Sequence, residues 1–310
     1  MTGTVFVTGA SGFAGRAIVD RLEAGGYTVR TTPLRLPLGD DPEWRHALEG
    51  CTHLVHAAAR AHVTDRRADD LAQFLPTNRD ATLALARIAH AAGVRRLVFL
   101  SSIGVHAQRA ETPLTETSPI DPQTLYAQSK WEAERSLATI ADQTGLDLTI
   151  LRPPLCYGPH VKARFHSLLR LVDSRLPLPL GSIAARRSYL GVSNLADAIA
   201  LCLETPETSG RTFVLADGED VTLPDLLKRI GVALGRRPHL LPVPPAALGA
   251  LAGLLGKSGE YERLVAPLLV DAKSFRATTG WQPPLTLDAE LARTATWYRQ
   301  QAGANRQAMR

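Results

Sequence analysis

A glycine-rich turn near the start of the chain limits what this sequence can fold into. A β-branched, apolar run predicts a strand over Thr4–Thr8, and a helical pattern covers Ala14–Ala24. Between them lie Gly9, Gly12 and Gly15, in the order GxxGxxG. In such a turn the glycines permit a tight bend, close approach of a diphosphate, and close packing of the helix on the sheet. The turn therefore predicts an α/β domain that binds dinucleotide phosphates at a helix N-terminus.

The first half of the chain alternates strand-like and helical patterns. This alternation is typical of βαβ units, and the right-handed crossover rule then predicts a doubly wound parallel Rossmann sheet, of the α/β class. The predicted strands are Thr4–Thr8, Thr28–Leu34, His53–Ala57, Arg96–Ser101 and Leu146–Leu151, and the predicted helices are Ala14–Ala24, Asp69–Ala92 and Thr124–Gln143.

The second half of the chain predicts a small mixed α/β substrate-binding cap. The run from Pro177 to Gly181 is too rich in proline for a helix, and Phe213–Ala216 has the composition of a short strand. Thr222 and Thr286 each precede a helical pattern. We expect the dinucleotide-binding domain over residues 1–154 plus roughly 186–204, and the cap over residues 155–185 and 205–310.

Composition and charge exclude several classes of protein. The net charge is only +5 and the basic residues are scattered, so we expect no nucleic-acid partner. Cys51, Cys156 and Cys202 lack the spacing of metal ligands or of a disulfide framework. We therefore expect no metal site and a reducing, cytoplasmic compartment. A predicted strand begins almost at once, at Thr4, with no basic and apolar leader pattern before it, so we also expect no secretory signal. The apolar run Pro244–Gly256 is too short to cross a bilayer, and it predicts a buried or groove-lining helix without membrane insertion.

The second predicted strand bears on the choice of cofactor. An Asp or Glu at its end normally binds the ribose of NAD. Here the strand end carries Arg30 and Arg35 and no acid. A guanidinium there can bind a 2′-phosphate, which favours NADP(H) and leaves NAD(H) possible. The alternative is that both arginines are solvated surface residues, while Asp40 or Asp41 fits an adenine contact or a helix cap equally well.

A tyrosine and a lysine in the third predicted helix suggest proton-transfer chemistry. Tyr126 and Lys130 are four residues apart, so both side chains lie on one helical face. An ammonium beside a phenol lowers the pKa of the phenol, which lets it exchange a proton near neutral pH. The preceding strand ends at Ser101-Ser102, where a hydroxyl can donate a hydrogen bond to a substrate oxygen. The alternative is an exposed Tyr–Lys pair with no function.

Together these motifs resemble the extended short-chain dehydrogenase/reductase superfamily, in its nucleotide-sugar epimerase/dehydratase branch. The matching stretches are Thr8–Gly15, His56–Ala59, Asn78, Ser101–Ser102, Tyr126 with Lys130, and Arg152–Pro159. The resemblance implies a Rossmann domain, a sugar-nucleotide substrate and a homodimer. It implies that the catalytic residues are Ser102, Tyr126 and Lys130, and that the cofactor contacts are Gly9, Ser11, Gly12, Phe13, Gly15, Arg35, Ala57, Ala58, Asn78, Tyr126 and Lys130. His56 matches a strand-end histidine that we expect to be structural.

Two departures from the family pattern narrow the expected reaction. Sugar-nucleotide 4,6-dehydratases carry Asp-Glu where this chain has Ile103 and Gly104, so we expect no dehydratase activity. Epimerases usually carry Asn where this chain has Leu155, which disfavours UDP-galactose epimerisation and puts Leu155 at the substrate.

Other stretches resemble bacterial surface-polysaccharide proteins often described as UDP-glucose 4-epimerases. These stretches are Trp131–Glu134, Val161–Lys162, Leu176–Gly181, Arg186–Ser188 and Pro242–Pro245. This resemblance implies reduction of the C4 keto group of a UDP-4-keto-6-deoxy-N-acetylhexosamine, with Lys162 and Arg187 facing the UDP diphosphate and Ser102 at the sugar. One alternative is a UDP-hexose 4-epimerase with tightly bound NAD. A second is a non-catalytic dinucleotide-sensing regulator, which the retained Tyr–Lys pair disfavours.

The acid-free second strand generates a prediction about cofactor choice. If Arg35 binds a 2′-phosphate, NADPH binds more tightly than NADH, and Arg35→Ala removes most of that preference. Titration of both cofactors against the wild type and the variant measures the effect. A preference for NADH that the substitution leaves unchanged contradicts the prediction.

Overall fold

A computed structural model of the protein describes residues 3–32, 42–60, 71–256 and 258–308. In these ranges the strands are β1 (Thr4–Thr8), β2 (Thr28–Arg30), β3 (His53–His56), β4 (Arg96–Leu100), β5 (Ala110–Leu114), β6 (Asp147–Arg152), β7 (Leu155–Tyr157), β8 (Arg186–Gly191), β9 (Arg211–Val214), β10 (Asp220–Thr222) and β11 (Leu268–Val270). The helices are α1 (Phe13–Ala24), α2 (Pro42–Leu48), α3 (Ala81–Ala91), α4 (Leu125–Thr144), α5 (Ala163–Asp173), α6 (Val192–Glu204), α7 (Leu223–Leu234), α8 (Pro245–Leu254), α9 (Ser258–Val265), α10 (Lys273–Thr279) and α11 (Leu287–Ala308).

The main sheet has six parallel strands in the order β2-β1-β3-β4-β6-β9. Its strands are apolar on both faces because helices cover both sides, as parallel sheets require. In β1, Val5 and Val7 pack with α1 and α6, while Phe6 packs on the opposite face with α2 and α3. This arrangement confirms the predicted doubly wound sheet, and the predicted first strand has the observed bounds.

Residues expected to form the cap contribute three strands and several helices to a second, mixed layer. The second sheet has the order β10-β8-β11-β5, and β7 pairs with β8. Its core is formed by apolar residues of α5, α7 and α11, which pack around Tyr157 and Tyr189. Thr222 accepts a hydrogen bond from Asp225 N at the start of α7, and Thr286 accepts one from Ala289 N at the start of α11, which are the two predicted helix starts.

Three strands lie outside the part of the protein to which the sequence assigned them. β9, expected in the cap, pairs with β6 and completes the main sheet, with Phe213 and Val214 fully buried. β8 and β5, expected in the dinucleotide-binding part, both belong to the second sheet. Short strands carry no sequence signal for their pairing partners, so position along the chain did not predict the sheet to which each belongs. β8 ends at Gly191 and α6 begins at the next residue, so this segment connects the second sheet to a helix that covers the main sheet.

The apolar run near residue 250 forms the predicted helix, but the first of its two expected placements, a buried one, is wrong. α8 has no buried residue, and Leu254 is 87% exposed. The closest packing partner of α8 is the short helix α9, whose Tyr261 ring lies beside Gly249. In the described part of the chain no helix combines the length and apolar character needed to cross a membrane.

Candidate functional site

The glycine turn forms a cradle at the carboxyl end of β1. Gly9 has a φ of +70°, and a Cβ there would lie 2.8 Å from Ala58 N. A Cβ on Gly15 would lie 2.0 Å from Gly9 O, so the helix can approach the turn only without a side chain. Gly12 starts α1 with no side-chain capping bond, which leaves the N-terminal N–H groups of the helix for an anion. The residues present therefore fit a dinucleotide diphosphate.

A one-way chain of hydrogen bonds links this cradle to β3 and α3. Thr8 Oγ1 accepts from Ala58 N and donates to His56 Nδ1, at 3.3 and 2.7 Å. His56 Nε2 donates to Thr82 Oγ1, at 2.8 Å, because that hydroxyl donates its own proton to Asn78 O. Burial, with the nearby Lys130 charge, lowers the pKa of His56 to about 3. His56 is therefore neutral and acts as a structural connector, and it is no base.

Asn78 fastens the loop after β3 to the helix that carries Tyr126. It lies in a single π-helical turn, Pro76–Asp80, and is 1% exposed. Its amide accepts from Arg60 N at 2.8 Å and donates to Arg60 O at 3.1 Å. The same amide donates to Ser129 Oγ at 2.9 Å, and Ser129 donates to Tyr126 O. Asn78 thus fixes the distance between the loop after β3 and the first turn of α4.

Lys130 is buried beneath the edge of the sheet. Its Nζ donates to Leu100 O at 2.7 Å and lies 4.4 Å from the centre of the Phe99 ring. Burial lowers the pKa of Lys130 to about 7, against the opposing effect of Glu134. One face of α4 carries both Lys130 and Tyr126, as predicted from their spacing.

The expectation that Lys130 lowers the pKa of Tyr126 is wrong. Burial, reinforced by the neighbouring Cys156 thiol, raises the pKa of Tyr126 to about 12. A lysine whose own pKa is near 7 carries only part of a positive charge at neutral pH, so its effect on a neighbouring phenol is weakened. Tyr126 therefore keeps its proton at neutral pH.

Ser102 lies at the start of a short 3₁₀ turn, Ile103–Val105, that packs against α4. Its Oγ accepts from Gly104 N at 3.1 Å. A Cβ added to Gly104 would lie 3.3 Å from Ser102 Oγ and 3.6 Å from the Ala127 side chain. The turn is thus in contact with the residue after Tyr126. Ile103, which is buried, and Gly104 stand at the two positions where a dehydratase carries its acid and its base. Neither residue has a carboxylate.

A buried polar network behind Ser102 and Lys130 was not predicted from the sequence. Glu134 forms a bidentate ion pair with Arg152 and accepts from Ser101 Oγ, and all three are at most 5% exposed. Arg152 also donates to His106 Nε2 at 2.8 Å, while His106 Nδ1 donates to the carbonyls of Ser118 and Pro119. The four-residue step from Lys130 to Glu134 was the signal available in the sequence. The network joins α4, β4, β6 and the 3₁₀ turn.

The predicted substrate residues lie at separate places. Lys162 is exposed at the start of α5 and lines a cleft of about 360 Å³ beside the phosphate cradle. Its lining residues include Ser11, Gly12, Phe13, Arg16, His160 and Trp297. Arg187 lies on β8 with its Nη1 donating to Ala266 O at 2.5 Å, and burial lowers its pKa. Leu155 lies on β7 opposite Tyr189. Among the described residues, the cleft includes Lys162 but neither Arg187 nor Tyr126.

The cofactor-selecting residue remains a prediction. Arg35, Asp40 and Asp41 lie outside the described residues. Arg30 is exposed and donates to Glu49 O at 2.5 Å.

Cys51, Cys156 and Cys202 form no disulfide, and no cluster of three metal-ligating side chains occurs in the ranges that the structure describes.

Comparisons of the sequence and of the structure with known proteins agree on one family. Residues 5–216 match the model of the NAD dependent epimerase/dehydratase family. The chain is 34% identical over 312 residues to UDP-glucose 4-epimerase of Vibrio cholerae, covering 95% of each chain. The structure is similar to the UDP-glucose 4-epimerase of Thermus thermophilus in complex with NAD, with a TM-score of 0.74, 26% identity and coverage of 96% and 99%. It also shares the fold of RMD from Pseudomonas aeruginosa complexed with NADPH, at 21% identity, a TM-score of 0.75 and coverage of 97% and 100%.

The buried His56 generates a prediction about acid stability. Its pKa is about 3 in the folded protein and 6.5 ordinarily, so below pH 6.5 the unfolded chain binds a proton that the folded protein excludes. The free energy of unfolding then falls as pH falls from 6.5 to about 3, by about 1.4 kcal/mol per pH unit from this group. Urea unfolding of His56→Gln is expected to show a flatter pH dependence than wild type. The exposed His46→Gln is the control, and equal slopes for all three proteins contradict the assignment.

The buried ion pair generates a second prediction. Glu134→Gln leaves Arg152 buried without its counter-charge, so the free energy of unfolding should fall by about 3–5 kcal/mol. The control is Glu132→Gln, which removes an exposed pair to Arg135 at 3.7 Å and should cost under about 1 kcal/mol. Chemical denaturation measures both. Similar losses in the two variants would show that the buried pair adds nothing beyond a surface pair.

Proposed function

Because the chain belongs to the NAD dependent epimerase/dehydratase family, we propose that it is a nucleotide-sugar 4-reductase. Its substrate is the C4 keto group of a UDP-4-keto-6-deoxy-N-acetylhexosamine, and its product serves surface polysaccharide synthesis. Members of this family are NAD(P)-dependent enzymes of the short-chain dehydrogenase/reductase type, and this chain is one of them.

The observation that carries the proposal is geometric: Tyr126 and the buried Lys130 lie on one face of α4, and the 3₁₀ turn that follows Ser102 packs against the same helix. A phenol with a pKa of about 12 is protonated at neutral pH. Reduction of a ketone needs a proton donor at its start, whereas oxidation of an alcohol, the first step of epimerisation, needs a base. A protonated Tyr126 suits the reductive direction, and Leu155 together with the acid-free second strand favours a reductase over an epimerase.

NADP(H) is the proposed cofactor, with NAD(H) as the alternative. Support comes from the uncapped start of α1 and from a second strand without an acid. The Thermus relative was solved with NAD and the Pseudomonas structure with NADPH, so the family fold accepts both. Gly9, Ser11, Gly12, Phe13 and Gly15 would hold the diphosphate, and the loop at Ala57 and Ala58 with Asn78 behind it would line the dinucleotide.

The proposed reaction uses three side chains of this chain. When bound, the nicotinamide supplies the hydride that forms the new C–H bond at C4 of the sugar. Tyr126 gives its phenolic proton to the oxygen that was the carbonyl, so the C=O double bond becomes a C–OH single bond. Ser102 donates a hydrogen bond to the same oxygen. Lys130 binds the nicotinamide ribose and, when charged, stabilises the phenolate that Tyr126 becomes.

For the substrate, we propose a UDP sugar held through its diphosphate and its sugar ring. The names of the Vibrio and Thermus relatives support a UDP sugar. Lys162 and Arg187 would bind the diphosphate, and Leu155 would contact the sugar. The protein would act as a homodimer.

The second candidate is a UDP-hexose 4-epimerase with tightly bound NAD, which the names of the same two relatives favour. One assay separates the two. The reductase consumes added NADPH in proportion to a 4-keto sugar nucleotide. The epimerase interconverts UDP-hexoses without added cofactor and releases NAD only on denaturation. Interconversion with no NADPH consumption refutes the reductase proposal.

The roles of the catalytic residues generate a prediction. Tyr126→Phe keeps the ring but removes the proton, so kcat should fall about 10²–10⁴-fold with NADPH affinity unchanged. Ser102→Ala should cost less, because water can replace the hydroxyl in part. Lys130→Met should weaken cofactor binding and lower kcat. A Tyr126→Phe enzyme with near-normal kcat on a 4-keto sugar nucleotide contradicts the assignment.

The two proposed diphosphate ligands generate another prediction. Arg187→Ala should raise the KM for the sugar nucleotide about tenfold or more and leave the Kd for NADPH unchanged. Arg186→Ala, one residue away and exposed, is the control. Lys162→Ala should raise the same KM. An unchanged KM in the Arg187 variant would mean that this arginine only supports the backbone at Ala266.

A further inference from the structure

Asp217 lies just beyond the carboxyl end of β9, where several segments of the chain meet. Its carboxylate accepts hydrogen bonds from Tyr157 OH at 3.0 Å and from Asn194 Nδ2 at 2.7 Å. Gly191 N donates to both of its oxygens, at 2.9 and 3.1 Å. A carboxylate with this many donors is held in one orientation, and it holds its donors in place in turn.

The three donors to Asp217 belong to different elements. Tyr157 ends β7, Gly191 ends β8, and Asn194 lies in the first turn of α6. Asn194 also donates to Leu285 O at 2.8 Å and accepts from Leu285 N at 2.9 Å, shortly before α11 begins. Asp217 therefore ties the edge of the main sheet to the second layer.

Of the elements tied to Asp217, β7 has the fewest bonds of its own. It has three residues, and among the described strands it pairs with β8 alone. A short strand with a neighbour on one side only has few backbone hydrogen bonds to hold it. Two further ties lie at its ends: Ile103 N, in the 3₁₀ turn, donates to Pro153 O at 2.9 Å, and the buried Tyr157 donates to Asp217.

β7 stands between the core of the cap and the proposed catalytic tyrosine. Successive side chains of a strand point to opposite faces. Leu155 and Tyr157 pack with the core of the cap, whereas Cys156 packs with the core of the main sheet and its thiol neighbours Tyr126. The orientation of β7 therefore determines where Leu155 and Cys156 stand relative to Tyr126.

We propose that Asp217 is a positioning residue for the sugar nucleotide: it fixes β7 through the Tyr157 hydroxyl and so sets the place of the sugar ring relative to Tyr126. The inference rests on the proposed function in one respect, the contact of Leu155 with the sugar. It does not depend on the direction of hydride transfer, so it holds for a reductase and for an epimerase.

Tyr157→Phe tests this tie, because it removes the hydroxyl and keeps the ring stacked on Phe165 at 5.2 Å between centroids. Isothermal titration calorimetry measures the Kd values for UDP-N-acetylglucosamine, UDP and NADPH. The first should rise about fivefold, because a hydrogen bond to a carboxylate is lost, while the other two should change less than about twofold. Tyr298→Phe removes a hydroxyl that donates to Asp173 in the cap at 3.5 Å, and this matched control should leave all three values unchanged.

Asp217→Asn extends the test to the acceptor. The variant replaces one accepting oxygen with an NH2 group that faces the same donors, so the Kd for UDP-N-acetylglucosamine should rise at least as much as in Tyr157→Phe. Because Tyr157 acts through Asp217, the double variant should resemble Asp217→Asn alone. Thermal unfolding checks that each variant is folded, and if Asp217→Asn does not fold, the comparison of Tyr157→Phe with Tyr298→Phe decides.

Three results would overturn the inference. One is an equal Kd for UDP-N-acetylglucosamine in wild type and Tyr157→Phe. Another is a parallel rise in the Kd values for UDP and NADPH, since this indicates a general loosening of the fold. The third is simple addition of the two effects in the double variant. Failure of the proposed function is a separate result, because it shows as no NADPH-dependent reduction by the wild type, which none of these binding measurements uses.

Discussion

The site depends on one buried ion pair. Glu134 and Arg152 are removed from water together, and each would be strongly unfavourable there without the other. Their contact fixes α4 against β6, and the hydrogen bond from Ser101 adds the end of β4. Lys130 is one turn before Glu134, and Ser102 is the residue after Ser101. The positions of the proposed catalytic side chains therefore follow from a pair that is itself buried.

Burial also determines the protonation states that the proposed chemistry uses. It lowers the pKa of His56 and Lys130 and raises that of Tyr126, in each case because the charged form loses hydration. His56 becomes a neutral connector in the hydrogen-bond chain, and Tyr126 becomes a proton donor. Spacing along a helix predicted that Tyr126 and Lys130 share one face of α4. The direction in which the phenol pKa shifts depended on packing, and reasoning from the Tyr–Lys pair alone gave the wrong sign.

The features that the sequence predicted correctly are those whose signals lie close together along the chain. The strand-glycine-helix order gave the cradle, and Thr222 and Thr286 gave two helix starts, because the signal for each lies within a few residues. The ion pair of Glu134 and Arg152 joins residues that are distant in sequence, so it needed the fold. The edge strand β9 could not be assigned to the main sheet because short strands carry no mark of their partners. The exposure of α8 could not be predicted from the sequence either, because an apolar run has the same composition whether the helix is buried or exposed.

The most direct test of the proposed reaction is the path of the hydride. With NADPH deuterated at C4 of the nicotinamide and a UDP-4-keto-6-deoxy-N-acetylhexosamine, NMR of the product reports whether deuterium is bound at C4 of the sugar. A 4-reductase places one deuterium at that carbon for each NADPH oxidised, on a single face of the ring. A product with no deuterium at C4, or a sugar epimerised without net oxidation of NADPH, would contradict the reductase assignment.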